Sequence, residues 1–117
     1  MQTEKMLEIV VGTLDQGKAN NIKVIDVQEK TSITDFFVVA SGTSERHVKS
    51  LAGQVVEKLK QHGVQPFGVE GEQGAEWVLV DLGDVVLHVM LPQTREFYQL
   101  EKFWEADFAA NSDSVAG

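Results

Sequence analysis

The stretch from Trp77 to Met90, WVLVDLGDVVLHVM, constrains the fold more than any other part of the chain. Two apolar runs flank Gly83-Asp84, and a two-residue loop of this kind between such runs predicts a β-hairpin. In that hairpin Leu82 lies opposite Val85, and the register of the remaining pairs follows from this one. Because side chains alternate along a strand, the hairpin sends one set of residues to each of its faces.

The two faces of the predicted hairpin differ in chemistry. One face, called here the covered face, is aliphatic throughout, and we expect helices to bury it because each such side chain contributes about 1.5–3 kcal/mol on burial. It comprises Val78, Val80, Leu82, Val85, Leu87 and Val89. The second face carries an indole, a carboxylate, an imidazole and a thioether, and we expect it to stay partly open and meet a partner. It comprises Trp77, Leu79, Asp81, Val86, His88 and Met90.

Patterns on either side of the hairpin give the order of the other elements. Apolar residues at helical spacing predict helices over 3–16, 44–62 and 94–104. Strands are predicted at 22–28 and 36–41, with a further short strand at 66–69. The predicted class is therefore α/β, with two layers, a mixed sheet of four to five strands and about three helices.

Composition bounds the kind of protein. The 117 residues suit a single domain, placed at 1–105, followed by a flexible acidic tail at 106–117. The absence of cysteine excludes disulfides, thiolate catalysis and cysteine-ligated metal. No long apolar run and no targeting pattern is present, so we expect a cytoplasmic protein that does not enter a membrane. A net charge of −8 disfavours extensive contact with RNA phosphates and favours a basic protein partner.

The turn at Ser41-Gly42-Thr43-Ser44 admits two interpretations. Free amides at the start of a helix can hold an anion, but a serine or threonine there also serves as an ordinary helix cap. Arg46, His47 and Lys49 follow in the first turns, where cations oppose the helix dipole. They either serve a function or pair locally with acidic residues, and the sequence leaves both open.

The hairpin carries no catalytic set, and we predict no catalytic residue, no metal ligand and no cofactor. Asp84 is interpreted as a turn residue. His88 lies diagonally from Asp81, within hydrogen-bond reach, and is interpreted as a structural or interface residue. Trp77 and Tyr98 are the predicted recognition pair, because these residue types dominate interface hot spots. The alternative for Trp77 is a core residue at the sheet edge.

The last predicted helix carries four large apolar side chains at the spacing of a single buried face. We therefore expect all four to belong to the core. They are Phe97, Leu100, Phe103 and Trp104.

Several motifs occur together along the chain: SITDFF at 32–37, ASGTS-x-RHV at 40–48, EG at 70–71, DLGDVV-x-HV at 81–89 and RE-x-Y-x-LE-x-x-W at 95–104. In this order and spacing they closely resemble the ribosomal silencing factor family, also called the Iojap family. The resemblance extends over about residues 3–105. It implies a fold similar to that of nucleotidyltransferases without their activity.

The resemblance also implies a function. Members of the family bind large-subunit ribosomal protein number fourteen, block joining of the two ribosomal subunits and lower translation under nutrient limitation or in stationary phase. Homodimers are also implied. Mapped onto this chain, the partner-binding residues are expected to be Trp77, Leu79, Asp81, His88, Met90, Tyr98, Arg46, His47 and Glu70.

Two other hypotheses remain open at this point. The first is an enzyme of the nucleotidyltransferase type, with Gly42-Thr43-Ser44 as its phosphate loop and Asp81 as a metal ligand. The second is a structural protein that buries the hairpin in a symmetric dimer.

Overall fold

Five strands form one mixed sheet in the computed structural model, which describes residues 1–105 and the side chains of residues 1–104. The elements are α1 (Thr3–Gln16), β1 (Asn20–Asp26), β2 (Phe36–Ser41), α2 (Glu45–Gln61), β3 (Gly68–Glu70), β4 (Trp77–Asp81), β5 (Val85–Met90), α3 (Pro92–Tyr98) and α4 (Leu100–Glu105). The strand order is β1-β2-β5-β4-β3, with β2 and β5 parallel and the other pairs antiparallel. The predicted α/β class with a mixed sheet is confirmed. The predicted tail at 106–117 lies outside the described residues.

The hairpin of β4 and β5 has the predicted register. Val80 pairs with Leu87, and the amide of Leu82 donates to the carbonyl of Val85 at 2.9 Å. Gly83 has a φ of +87°, a conformation that glycine adopts without the steric penalty of a side chain. A Cβ atom there would lie 2.8 Å from the ring of Phe67. The predicted turn and the predicted division of the hairpin into two faces are therefore both confirmed.

Helices α1 and α2 lie over the covered face, as expected. All six of its aliphatic residues are buried in one cluster with the apolar stripes of the two helices. The stripe of α2 follows the predicted spacing closely, and Ser44 caps the helix by accepting a hydrogen bond from the amide of His47. The main core is therefore the contact between the hairpin and these two helices.

The edge strands differ slightly from their predicted positions. Strand β1 begins two residues earlier than predicted, at a bulge where Asn21 has a φ of +51°. It ends at Asp26, whose side chain accepts a hydrogen bond from the amide of Gln28 at 2.9 Å. Strand β3 occupies Gly68–Glu70 rather than 66–69. Irregular backbone at the ends of edge strands accounts for both shifts.

The prediction of a single helix over 94–104 is wrong. Gln99 adopts a left-handed conformation, with a φ of +50°, and divides the segment into α3 and α4, so residues 1–105 contain four helices rather than three. Because the helical repeat ends at Gln99, spacing counted across it does not define one face. Phe97 and Phe103 are exposed, contrary to the core prediction, whereas Leu100 and Trp104 are partly buried.

Helices α3 and α4 cover part of the second face. Below them lies a smaller cluster that includes Met90 and Val39, against which Leu100 and Trp104 pack. None of the helices in residues 1–105 has the length and apolar composition that a bilayer span requires.

A buried arginine fixes α3 to the end of the sheet. The Nε and Nη2 atoms of Arg95 donate to the carboxylate of Glu101 at 2.5 and 3.0 Å, and Nη1 donates to Oγ of Ser41 at 2.9 Å. The hydrogen bond from Arg95 lowers the pKa of Glu101. This two-pronged contact joins α3, α4 and β2 in one place and determines where the residues at the end of α3 lie.

Candidate functional site

An aromatic pair stands at the open edge of the second face. Trp77, the first residue of β4, is half-buried, and Tyr98, the last residue of α3, is 56% exposed. Their ring centroids lie 4.9 Å apart. Tyr98 reaches this position because Arg95, one helical turn earlier, holds α3 against the sheet. The structure therefore brings the predicted recognition pair together, while its contact with a partner stays a prediction.

Phe97 extends the pair outward, and sequence reasoning missed it. It is 78% exposed, and its ring meets that of Tyr98 edge-on with centroids 4.9 Å apart. Trp77, Tyr98 and Phe97 together are called the aromatic surface below. No signal in the sequence marks the break that exposes Phe97, because Gly or Asn usually occupies left-handed helix ends and Gln99 is neither.

The aromatic surface is one end of a longer run of rings, called here the ring chain. Each ring contacts the next, with centroids between 4.9 and 5.8 Å apart. In spatial order it comprises Phe97, Tyr98, Trp77, His88, Phe37, Trp104 and Phe103. The ring chain crosses the second face from the end of α3 to α4, and His88 lies at the middle of the ring chain.

His88 is buried, with 5% of its surface exposed, and its Nδ1 atom accepts a hydrogen bond from the indole Nε1 of Trp77 at 3.0 Å. Burial lowers the pKa of His88 from 6.5 to about 4, so the ring is neutral at physiological pH. The diagonal position put His88 within hydrogen-bond reach of Asp81, but the two side chains do not form that bond. The Asp81 carboxylate instead accepts from the amide of Gly83 at 2.9 Å, inside the turn.

The other residues predicted on this face fall into two groups. Leu79 and Asp81 are half-buried, and Glu70 lies opposite Leu79 on β3 and is exposed, so all three border the open part of the sheet. Met90 is fully buried in the smaller cluster. The expectation that Met90 lies on an accessible surface is wrong, because Leu100 and Trp104 of α4 pack against its cluster.

Carboxylates accompany the aromatic surface along the chain. Glu76 precedes Trp77 and Glu96 precedes Phe97, and both side chains are exposed, as is that of Glu70. The net charge of the whole chain is −8. Such a charge favours a basic partner over a phosphate backbone.

Arg46 and His47 lie at the start of α2, where His47 has a structural role. Its Nδ1 atom accepts a hydrogen bond from the amide of Thr43 at 2.9 Å, and Nε2 donates to the carbonyl of Gly17 at 2.8 Å. His47 therefore ties the end of α1 to the start of α2. Arg46 is exposed, and within residues 1–104 no ion pair joins it to Glu45 or Glu70.

The turn before α2 acts as a helix cap. The amide of Gly42 donates to the carbonyl of Met90 at 3.0 Å, and the amide of Thr43 donates to Nδ1 of His47. Oγ of Ser44 accepts a hydrogen bond from the amide of His47 at 3.1 Å. An anion at this turn would have to displace these contacts. Among residues 1–105 there is also no cluster of three or more His, Asp or Glu side chains able to hold a metal ion.

Comparison with known proteins gives a consistent result. Residues 1–116 match the family model described as "Ribosomal silencing factor during starvation". The chain is 42% identical over 104 residues to the ribosomal silencing factor RsfS of Chromobacterium violaceum, covering 89% of this chain and 85% of that one. It is 41% identical over 99 residues to the protein of the same name from Haemophilus influenzae, covering 85% and 97%.

A solved structure supports the same relationship. The crystal structure of a Chromobacterium violaceum protein superimposes with a TM-score of 0.88 at 41% sequence identity, covering 92% of this chain and 89% of that one. The fold described above is therefore shared with an experimentally determined structure over nearly its whole length.

Proposed function

This chain belongs to the ribosomal silencing factor family, and on that premise we propose that it represses translation by binding the large ribosomal subunit and blocking its union with the small subunit. The proposed contact is large-subunit ribosomal protein number fourteen. The proposed setting is the cytoplasm under nutrient limitation or in stationary phase. The protein acts as a binding module and not as an enzyme, because steric exclusion requires only that it occupy the joining surface.

The observation that carries this proposal is the aromatic surface. Trp77, Tyr98 and Phe97 present touching rings to solvent at one edge of the sheet. Aromatic residues of this kind supply much of the energy of protein interfaces, because each offers a large rigid area. A standard interface needs only about 800 Å² on each partner, which a domain of this size can provide.

Charge supports a basic protein as the partner. The exposed carboxylates of Glu70, Glu76 and Glu96 accompany the aromatic surface, and opposite charges steer association and exclude wrong partners. The same charges repel ribosomal RNA, so the proposed contact with RNA is small. An aromatic surface on a chain with a net charge of −8 thus fits a basic ribosomal protein.

The test compares two aromatic residues at opposite ends of the hairpin, the half-buried Trp77 and the exposed Phe67. Trp77→Ala removes the centre of the aromatic surface, and we expect it to weaken binding to purified large subunits by about 2 kcal/mol or more, roughly 30-fold in Kd. Phe67→Ala is the matched control, because Phe67 is 80% exposed and lies beside Gly83 at the hairpin turn. Binding is measured by co-sedimentation, and subunit joining by the yield of full ribosomes on a sucrose gradient.

The outcomes separate clearly. Loss of binding and of the block on joining in Trp77→Ala, with both retained in Phe67→Ala, supports the proposal. Equal binding by both variants contradicts the assignment of the aromatic surface. A thermal shift with ATP and Mg²⁺ tests the nucleotidyltransferase alternative directly, and we expect no shift.

Self-association forms part of the same proposal. We propose a homodimer, and its mass is measurable with and without the ribosomal partner. If the dimer and the partner compete for the aromatic surface, dilution increases binding to large subunits. If they use separate surfaces, dilution leaves that binding unchanged.

A further inference from the structure

His88 occupies the middle of the ring chain without reaching the surface. It lies on the central strand β5, with 5% of its surface exposed, and its ring centroid is 5.2 Å from that of Phe37 and 5.8 Å from that of Trp77. A partner docked on the second face therefore meets the neighbours of His88 rather than His88 itself.

The hydrogen bond between Trp77 and His88 has only one possible direction. An indole N–H is a donor with no acceptor capacity, so Nδ1 of His88 must be the unprotonated nitrogen, and the ring proton resides on Nε2. The low pKa of His88, about 4, keeps the ring in this neutral form. The indole of Trp77 is thus held by a directional bond on one side and by the ring of Tyr98 on the other.

Packing alone does not account for an imidazole at this position. In the described part of the chain, Nε2 of His88 is buried and has no hydrogen-bond partner. An unsatisfied buried donor destabilises the folded state, whereas an apolar side chain of similar volume carries no such cost. Stability would therefore favour leucine or phenylalanine here, and the feature that these lack is the acceptor for the indole.

We propose that His88 is a positioning residue, which fixes the orientation of the Trp77 indole for the partner and makes no contact with that partner. This inference rests on the function proposed above. It assigns the two residues different tasks: Trp77 supplies the contact area, and His88 selects the orientation in which that area is presented.

Two substitutions at position 88 separate the effect of His88 on the orientation of the Trp77 indole from its effect on packing in the core. His88→Leu removes the acceptor and keeps apolar bulk, so we expect a melting temperature equal to or above that of the parent protein, with binding to large subunits about 3- to 10-fold weaker, as for one lost hydrogen bond. His88→Asn places an amide oxygen near the position of Nδ1, and we expect it to bind within about 3-fold of the parent. His88→Phe is a second apolar variant, for use if the leucine variant folds poorly.

A spectroscopic measurement reports on the indole itself. In a ¹⁵N-labelled protein, the indole N–H of Trp77 gives its own resonance, identified by its loss in Trp77→Phe. We expect this proton to exchange faster with solvent in His88→Leu than in the parent protein or in His88→Asn. Unchanged exchange in His88→Leu would overturn the inference, because it would show that the indole N–H does not depend on this acceptor.

The double variant completes the test. Trp77→Phe has no N–H to orient, so adding His88→Leu to it is expected to cause no further loss of binding. A full additional loss would overturn the inference, because it would mean that His88 acts independently of the indole. Failure of the parent protein to bind large subunits refutes the proposed function, and unchanged binding by Trp77→Ala contradicts the assignment of the aromatic surface. Loss in Trp77→Ala with parental binding by His88→Leu refutes only the positioning role.

Discussion

The covered face and the second face of the hairpin share one backbone but are stabilised in different ways. On the covered face, aliphatic side chains such as Leu87 and Val80 are fully buried under two helices by contacts that have no preferred direction. On the second face, order depends on directional contacts, such as the hydrogen bond from Trp77 to His88 and the fork between Arg95 and Glu101. The contacts of the covered face therefore stabilise the fold, and those of the second face determine how the exposed side chains are oriented.

The largest expected effect tests the covered face. Leu87→Ala leaves a cavity at a fully buried position, and we expect the free energy of unfolding to fall by about 2–5 kcal/mol. The control is Leu79→Ala, on the neighbouring strand but on the second face, where the side chain is half-buried and the expected loss is less than half as large. Urea denaturation measures both. Equal losses would show that the two faces contribute alike to stability.

Lowering the pH is expected to destabilise the second face, through protonation of His88, and not the covered face. The pKa of His88 in the folded protein is about 4, below its value of 6.5 in an unfolded chain, so the unfolded state takes up a proton first as the pH falls. This titration leaves the free energy of unfolding unchanged above pH 6.5 and lowers it as the pH falls toward 4, by about 3 kcal/mol in total.

His88→Leu removes this titration while leaving the other ionisable groups in place. Urea denaturation of the parent and the variant between pH 7 and pH 4 therefore isolates the contribution of His88. We expect the parent to lose about 3 kcal/mol more than the variant over this interval. Parallel curves would show that burial does not disfavour the charged imidazole.

Two glycines in one loop test how the backbone places Trp77. Gly71 has a φ of +89°, and a Cβ atom there would lie 2.1 Å from the carbonyl oxygen of Trp77. We expect Gly71→Ala to lower the free energy of unfolding by about 2 kcal/mol or more and to weaken partner binding, because Trp77 must move. Gly74 has no atom within 4 Å of the corresponding position, so Gly74→Ala is expected to change stability by less than about 0.5 kcal/mol. Thermal melting and co-sedimentation would contradict this if the two variants behaved alike.

The smallest expected effect concerns the junction between α3 and α4. Gln99 has a φ of +50°, which costs a residue with a side chain about 1–2 kcal/mol. Part of this is offset by the greater freedom of glycine in the unfolded chain, so we expect Gln99→Gly to stabilise the protein by about 0.5–1 kcal/mol. The melting temperature should rise while binding stays unchanged. A fall in melting temperature would show that the Gln99 side chain contributes to the junction.

The parts of the fold that sequence reasoning predicted are those determined by local alternation. The hairpin register follows from Gly83-Asp84 and the apolar runs beside it, and a one-residue slip would expose the aliphatic row to water. Helix α2 was predicted to within one residue at each end, because Ser44 caps it and Gly63 has a φ of +79° just beyond it. In both cases, the residues that specify the structure are close in sequence.

The candidate site was less predictable, because it depends on contacts between distant parts of the chain. His88 has two diagonal neighbours across the hairpin, Asp81 and Trp77, and alternation alone does not show which of them it contacts. Met90 is buried in a cluster against which Leu100 and Trp104 of α4 pack, and the break at Gln99 has no residue that typically marks it. Tertiary packing, rather than local preference, decides each of these positions.

The ring chain has a practical consequence for solution work. The protein has two tryptophans, and both belong to the ring chain: Trp77 lies in the aromatic surface and Trp104 lies in α4. Intrinsic fluorescence is therefore a label-free signal with two separable sources. Trp104→Phe leaves Trp77 as the emitter, which we expect to report on a partner bound at the aromatic surface, and Trp77→Phe leaves Trp104, which reports on the packing of α4.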